Sequence, residues 1–213
     1  MSQTNKNSPR IAGIVRNSFV DWPGKISFVV FLGGCNFNCP DCHNHNILCS
    51  SSNKLPLMQV LSEIKQQTGF IDGVVISGGE PTAHPHLREI ITQIRAIEND
   101  GVPLQIKLDT NGSNFDVLKS LIKDNLVDFV AMDIKAPFER YEELGFISGD
   151  RVYVDNIIQN IRSGMEFLKS GDVPFMFRTT PIHGLTEQDF DSVKALAGDA
   201  KWVKNNFVPQ NKT

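Results

Sequence analysis

The chain has 213 residues, 40% of them apolar, and a formal net charge of −3. That length suits one domain with a full core, and the lack of basic excess argues against nucleic acid or an anionic membrane as a partner. No apolar run reaches the ~20 residues of a membrane span, the polar start MSQTNKNSPR lacks a signal core, and four cysteines with three crowded together are no disulfide framework, so a reducing cytoplasm is expected.

In chain order, residues 11–16 read as a short strand, and Pro23-Gly24 as a type II turn. Residues 26–32 (ISFVVFL) form a β-branched strand that runs into the cysteine loop. Residues 57–67 carry apolar groups at helical spacing, 73–77 (GVVIS) form a buried strand, and 86–98 repeat Leu87, Ile90, Ile91, Ile94 and Ile97 as a helix stripe. A strand at 103–108 precedes Asp109-Thr110-Asn111-Gly112, and Asn114 is the expected cap of a helix over 115–123. Next come a strand at 128–134, a helix at 156–169 stopped by Gly171, and a strand at 174–180. Thr186 is placed to cap a helix at 187–196, and 201–207 is the last strand. Six strands alternating with helices imply an α/β fold with a parallel sheet and right-handed crossovers. Each polar motif follows a strand, which puts it on the C-terminal rim, where barrel enzymes keep their chemistry. The units are too few for an eight-fold barrel.

The rim motifs carry the chemistry. Cys35, Cys39 and Cys42 lie in GGCNFNCPDCHN with C-x3-C-x2-C spacing. Three soft thiolates on one loop can hold three irons of a [4Fe–4S] cubane, leaving the fourth iron open to another ligand. The other readings are a zinc site completed by His43 or Cys49, or ordinary buried thiols. Cys49 by itself reads as a free small hydrophobe. Gly78-Gly79-Glu80-Pro81 closes a strand; it is either a plain turn opening a helix, or a loop where missing side chains let a ligand reach the backbone, with Glu80 or the carbonyls meeting a cation. Asp109 and Asp133 end two successive strands and would repel without a cation or ammonium between them; pairing with Lys107 and Lys135, or helix capping, would serve as well. Arg178, inside the apolar strand FMFRTT, needs anionic partners.

The cysteine spacing, with Gly-Gly-Glu-Pro one strand later, resembles the radical S-adenosylmethionine (SAM) superfamily. The segments DWPGK, GCNFNCPDCHN, ISGGEPT, KLDTNGSN, VDFVAMDIKAP and FRTT together resemble the activating proteins of anaerobic ribonucleoside-triphosphate reductase. The resemblance implies a partial (β/α)6 TIM-like barrel, with 1–213 a single radical SAM domain and 1–25 an extension packing on it. It implies that Cys35, Cys39 and Cys42 ligate the cluster, and that Gly78, Gly79 and Glu80 meet the SAM amino group. Lys135 would meet the SAM carboxylate, Arg178 would contact SAM, and Asp109, Thr110 and Asp133 would form a monovalent-cation site. The activity implied is cleavage of SAM to a 5′-deoxyadenosyl radical that abstracts a glycine Cα hydrogen from a partner glycyl-radical enzyme, with flavodoxin or ferredoxin as electron donor. The rival readings are a small-molecule radical SAM enzyme such as 7-carboxy-7-deazaguanine synthase, and a zinc-stabilised binding module. By the same resemblance DWPG sits near the barrel mouth. The family often has an aromatic residue before the third cysteine to pack on adenine; Asp41 offers no ring there.

Overall fold

Strand and helix patterns alternate along the chain, and in the computed structural model they assemble on one eight-stranded sheet. The structure describes residues 9–39, 41–42, 44–45, 55–143, 145–147 and 149–206. The zinc-ligand candidates His43 and Cys49 lie outside the described residues. In chain order the elements are β1 (Arg10–Ser18), β2 (Ser27–Leu32), β3 (Leu55–Pro56), α1 (Leu57–Gln66), β4 (Gly73–Gly78) and α2 (Leu87–Arg95). A small hairpin of β5 (Glu98–Asn99) and β6 (Val102–Pro103) follows. Then come β7 (Gln105–Thr110), α3 (Phe115–Lys123), β8 (Phe129–Asp133), α4 (Arg151–Ser170), β9 (Phe175–Thr179), α5 (Glu187–Ala197) and β10 (Trp202–Lys204).

The sheet order is β10-β9-β8-β7-β4-β2-β1-β3. The six strands from β10 to β2 are parallel, with α1 to α5 in the connections, as a parallel sheet requires. This is the expected partial (β/α)6 barrel. The strand expected at 11–16 runs antiparallel to β2 along the edge and is itself edged by β3.

Strand alternation gives each β residue one of two environments. One face, with Phe28, Val30, Val74, Ile76, Ile106, Leu108, Val130 and Met132, packs against the helices in the main core. The other face points into the barrel. Across it the register aligns Val29 with Val75, Val75 with Lys107, and Asp133 with Arg178. The barrel interior is therefore apolar at its amino end and charged at its carboxyl end.

Trp22 supplies the amino-end plug. It packs with Val29 and Val75, lies 6.1 Å from the Phe129 ring, and sits under Gly73, where a Cβ would come within 2.9 Å of its ring. Lys25 N–H donates to Trp22 C=O (3.0 Å) and Gly24 has φ +80°, the turn expected at Pro23-Gly24. The DWPG segment therefore lies at the opposite end of the barrel from the mouth, because it leads into the first residue of β2 rather than out of the last.

Local capping explains where element ends depart from the sequence pattern. Helix α4 starts at Arg151, five residues before the expected 156, because the Asp150 side chain caps it by accepting from Tyr153 N–H (2.8 Å). Its first turn exposes Val152 and Tyr153, so periodicity gave no signal there. Helix α2 stops at Arg95 because Glu98–Asn99 pairs with Val102–Pro103. Thr186 caps α5 in a capping box with Asp189, as expected. Asn114 stands at the N-cap of α3 but its amide donates to Thr82 Oγ1 (3.2 Å) rather than capping.

Candidate functional site

Everything expected at the rim converges on one cavity of about 170 Å³ at the carboxyl ends of the strands. Cys35, Cys39 and Cys42 line it together with Gly78, Gly79, Glu80, Asp109, Thr110, Asp133, Lys135 and Arg178.

The cysteine loop is held by its non-cysteine residues. Phe37 is buried, edge-on to Tyr141 at 6.2 Å, and Asn38 N–H donates to Phe146 C=O (2.9 Å). The Asn36 amide donates to Ser113 Oγ (2.8 Å) and its oxygen accepts from the Asn111 amide (3.1 Å), joining the loop to the turn after β7. None of the three cysteines is in a disulfide. Burial pushes the Cys35 thiol up to about 11 and raises Cys39 as well, against a downward pull from Lys135. Three soft donors on one pinned loop, facing one cavity with Phe37 and Phe146 in its lining, are chemically apt for an iron–sulfur cluster.

The Gly-Gly-Glu loop is built for close backbone approach. Gly78 has φ +118°, and a Cβ there would lie 2.3 Å from Leu32 C=O, so only glycine fits. Gly79 N–H donates to Leu32 C=O (2.9 Å) and Glu80 N–H to Gly34 C=O (3.0 Å), while Gly78 C=O accepts from the Asn44 amide (2.6 Å). Glu80 C=O accepts from Ala83 N–H (3.1 Å), so with these groups spent the loop offers a ligand chiefly the Gly79 carbonyl, an acceptor that suits an ammonium group.

Glu80 itself is 1% exposed and works inward. Oε1 accepts from Thr82 N–H (2.9 Å), Thr82 Oγ1 (2.5 Å) and Thr110 Oγ1 (2.7 Å), and Oε2 from Asn111 N–H (2.6 Å). Burial raises its carboxyl, and the four donors pull the other way. Of the two groups expected to meet a ligand here, Glu80 or the loop carbonyls, the Glu80 carboxylate also ties the β4 loop to the β7 loop. Glu80→Gln puts an amide N–H where Asn111 N–H or the hydroxyls need an acceptor. Loss of hydrogen bonds to a buried charge should destabilise the fold by about 2–3 kcal/mol. A urea-unfolding midpoint equal to that of the parent would contradict this role.

Behind the loop lies a charged row across three strands. The Lys107 ammonium, 1% exposed, pairs with Asp109. Arg178 Nε donates to Asp133 Oδ1 (2.9 Å), and its terminal nitrogens lie 3.5 Å from Asp109 Oδ2. The Lys135 ammonium donates to Asp133 Oδ2 (3.0 Å). Burial would raise Asp133, but Arg178 and Lys135 outweigh it and hold the carboxyl down at about 2. Burial likewise lowers Lys107, in part offset by Asp109, whereas Asp133 and Cys39 keep Lys135 above its ordinary value despite its burial.

The charge that Asp109 and Asp133 need between them is thus a guanidinium, with an ammonium on either side. The Thr110 hydroxyl donates to Glu80 and accepts from Gly112 N–H (3.1 Å). Asp109, Thr110 and Asp133, expected to form a monovalent-cation site, all line the cavity and also hold protein partners.

One contact had no signal in the sequence. Asp41 Oδ2 accepts from both the backbone N–H and Nδ1 of His183, each at 2.9 Å, joining residues 142 apart across the rim. Asn36, Asn44 and Asn111 were also missed as site residues. Their positions beside the cysteines and within D-T-N-G were the available clue.

The chain matches the model of the radical SAM superfamily over residues 29–197. It is 34% identical over 203 residues to a Methanocaldococcus jannaschii protein named “Putative glycyl-radical enzyme activating enzyme”, covering 94% of this chain and 81% of that one. It is 27% identical over 213 residues to the pyruvate formate-lyase-activating enzyme of Streptococcus mutans, covering 92% of this chain and 75% of that one. Among solved structures it resembles anSMEcpe with bound AdoMet, with a TM-score of 0.58 and 18% identity over 84% of this chain. The chain spans about half the length of that structure, and the likeness concerns the fold.

Proposed function

The chain belongs to the radical SAM superfamily, and we propose that it is an activase that installs a radical on a glycine Cα of a partner enzyme. It is an enzyme of that superfamily, which works with a [4Fe–4S] cluster and SAM. The partner in this reading is anaerobic ribonucleoside-triphosphate reductase, the electron donor a flavodoxin or ferredoxin, and the compartment the cytoplasm. Residues 1–213 then act as one radical SAM domain, with 1–25 packing on the barrel.

A single observation carries the reading: the three cysteines share one cavity with the Gly78-Gly79 loop and the Lys135 ammonium. Cys35, Cys39 and Cys42 would hold the cluster. When bound, the cluster and SAM would supply one-electron reductive cleavage of SAM and removal of a hydrogen atom from glycine, giving methionine and 5′-deoxyadenosine. The protein's share is positioning and exclusion of water. Carbonyls of the 78–80 loop, chiefly that of Gly79, would accept from the SAM ammonium. Lys135, steadied by Asp133, would donate to the SAM carboxylate. Arg178, committed to two carboxylates, would act by holding Asp133 in place rather than by contact. No proton transfer is required, so Asp133 and Lys135 would serve this chemistry as fixed charges rather than as a base and an acid.

The test is anaerobic reconstitution with iron and sulfide, reduction, and addition of SAM. Methionine and 5′-deoxyadenosine are expected in equal amounts, followed by a glycyl-radical EPR signal when the reductase is added. A colourless, zinc-loaded protein that makes no 5′-deoxyadenosine would overturn the enzyme reading. Nucleoside product without a radical on any glycyl-radical enzyme would move the substrate to a small molecule.

A further inference from the structure

We infer that Asp41 and His183 form a clasp over the cavity, and that Asp41 is thereby a positioning residue for bound SAM. The inference rests on the reading of the cavity as the SAM site. The loops that carry these residues follow β2 and β9, which are separated in the sheet by β4, β7 and β8. No main-chain ladder joins strands so far apart, so the two loops are held to one another by other contacts or by what lies between them.

Asp41 makes such a contact through a single oxygen. Oδ2 accepts from His183 N–H and from Nδ1, both at 2.9 Å. The bond from the backbone matters more, because it fixes the course of the main chain and not one exposed ring. The His183 side chain is 84% exposed and the Asp41 side chain 24%, so the side-chain contact alone would contribute little.

The main chain fixed in this way is a wall of the site. Thr180 and Ile182, just before His183, line the cavity that Cys35, Cys39 and Cys42 also line. Thr180 is secured from the other side, where its hydroxyl accepts from the Asn205 amide (2.9 Å). The 180–183 segment is therefore tied at both ends, to β10's end and to the cysteine loop. A wall ordered before the ligand arrives spares the ordering cost at binding, so the clasp acts on affinity for SAM.

The pair allows a graded test on the reconstituted, unreduced protein, where no turnover occurs. Asp41→Ala removes both bonds and should weaken SAM binding by equilibrium dialysis about tenfold, roughly the loss of one charge-assisted hydrogen bond. His183→Ala keeps the backbone bond and should cost about threefold, the share of a partly exposed pair. Asp41→Asn, which can still accept from the backbone N–H, should fall near His183→Ala. Iron and sulfide contents should match the parent in all three. Independently of SAM, hydrogen exchange at the His183 amide should be slow in the parent and fast in Asp41→Ala.

Equal exchange at His183 in parent and Asp41→Ala would overturn the clasp. So would SAM binding by Asp41→Ala equal to that of a SAM-binding parent. A parent that binds no SAM, with its His183 amide still protected, would instead overturn the cavity assignment and with it the positioning role.

Discussion

Cys39→Ala is expected to bring 5′-deoxyadenosine formation below detection and to cut the iron bound after reconstitution to a minor fraction of the parent's. Cys39 is the middle of the three thiols, half-buried, packed against the main core, and beside Lys135. Its loss leaves Cys35 and Cys42 on opposite arms of the loop, and two thiolates cannot hold a cubane that must also leave one iron open. The fold should survive. The loop is anchored by Phe37, Asn36 and Asn38 rather than by the thiol, so the circular dichroism and melting temperature of the apo-protein should stay close to the parent's. Burial holds the Cys35 thiol at about 11 and raises Cys39. Metal binding must therefore expel protons, and cluster assembly in the parent should become more favourable as pH rises from neutrality. Undiminished 5′-deoxyadenosine from Cys39→Ala would remove the cluster from this loop.

Arg178→Met should produce the largest loss of stability at the site. Arg178 is 18% exposed by side chain and, among the described residues, is the one ion-pair partner of both Asp109 and Asp133. Methionine of similar length leaves two inward-facing carboxylates with only the outer ammonium groups of Lys107 and Lys135. Removing one partner from a buried ion network typically costs about 3–5 kcal/mol.

The pH dependence separates this from a packing defect. Asp133 is held at about 2 in the folded parent against an ordinary 3.8. A depressed carboxyl contributes stability that is fully present above the ordinary value and is lost as pH falls through the folded one. The gap between parent and Arg178→Met should therefore be widest at neutral pH and narrow between pH 4 and 2. A gap that stays constant over that range would mean that Arg178 contributes through packing and not through charge. SAM affinity should fall alongside, since Lys135 would then share Asp133 with no competing cation.

Periodicity and punctuation were enough for the sequence to determine the six parallel strands, the helices between them, and the placing of the cysteine, Gly-Gly-Glu and aspartate motifs on one rim, but not the short β3, β5 and β6. The reasons are local. Ser27–Leu32 and Gly73–Gly78 are nearly continuous apolar runs, as strands covered on both faces must be. Leu87, Ile90, Ile91 and Ile94 repeat at the helical period, and Thr186 with Asp189 writes a capping box into the chain. The cysteine spacing and Gly78, which no other residue can replace against Leu32, are equally local facts.

What the sequence could not decide is which groups meet. The spacing that puts Asp109 and Asp133 on neighbouring strands does not say that Arg178 reaches both; the register of β8 on β9 sets Asp133 beside it. Glu80 reads as a rim ligand or turn residue until two donors from the β7 loop, Thr110 Oγ1 and Asn111 N–H, are seen to join the two from Thr82 on its carboxylate. Trp22 reads as part of the mouth until its chain direction into β2 puts it at the barrel floor. Asp41 and His183 leave no trace at all, because 142 residues of chain separate two groups that only the curvature of the sheet brings within 2.9 Å.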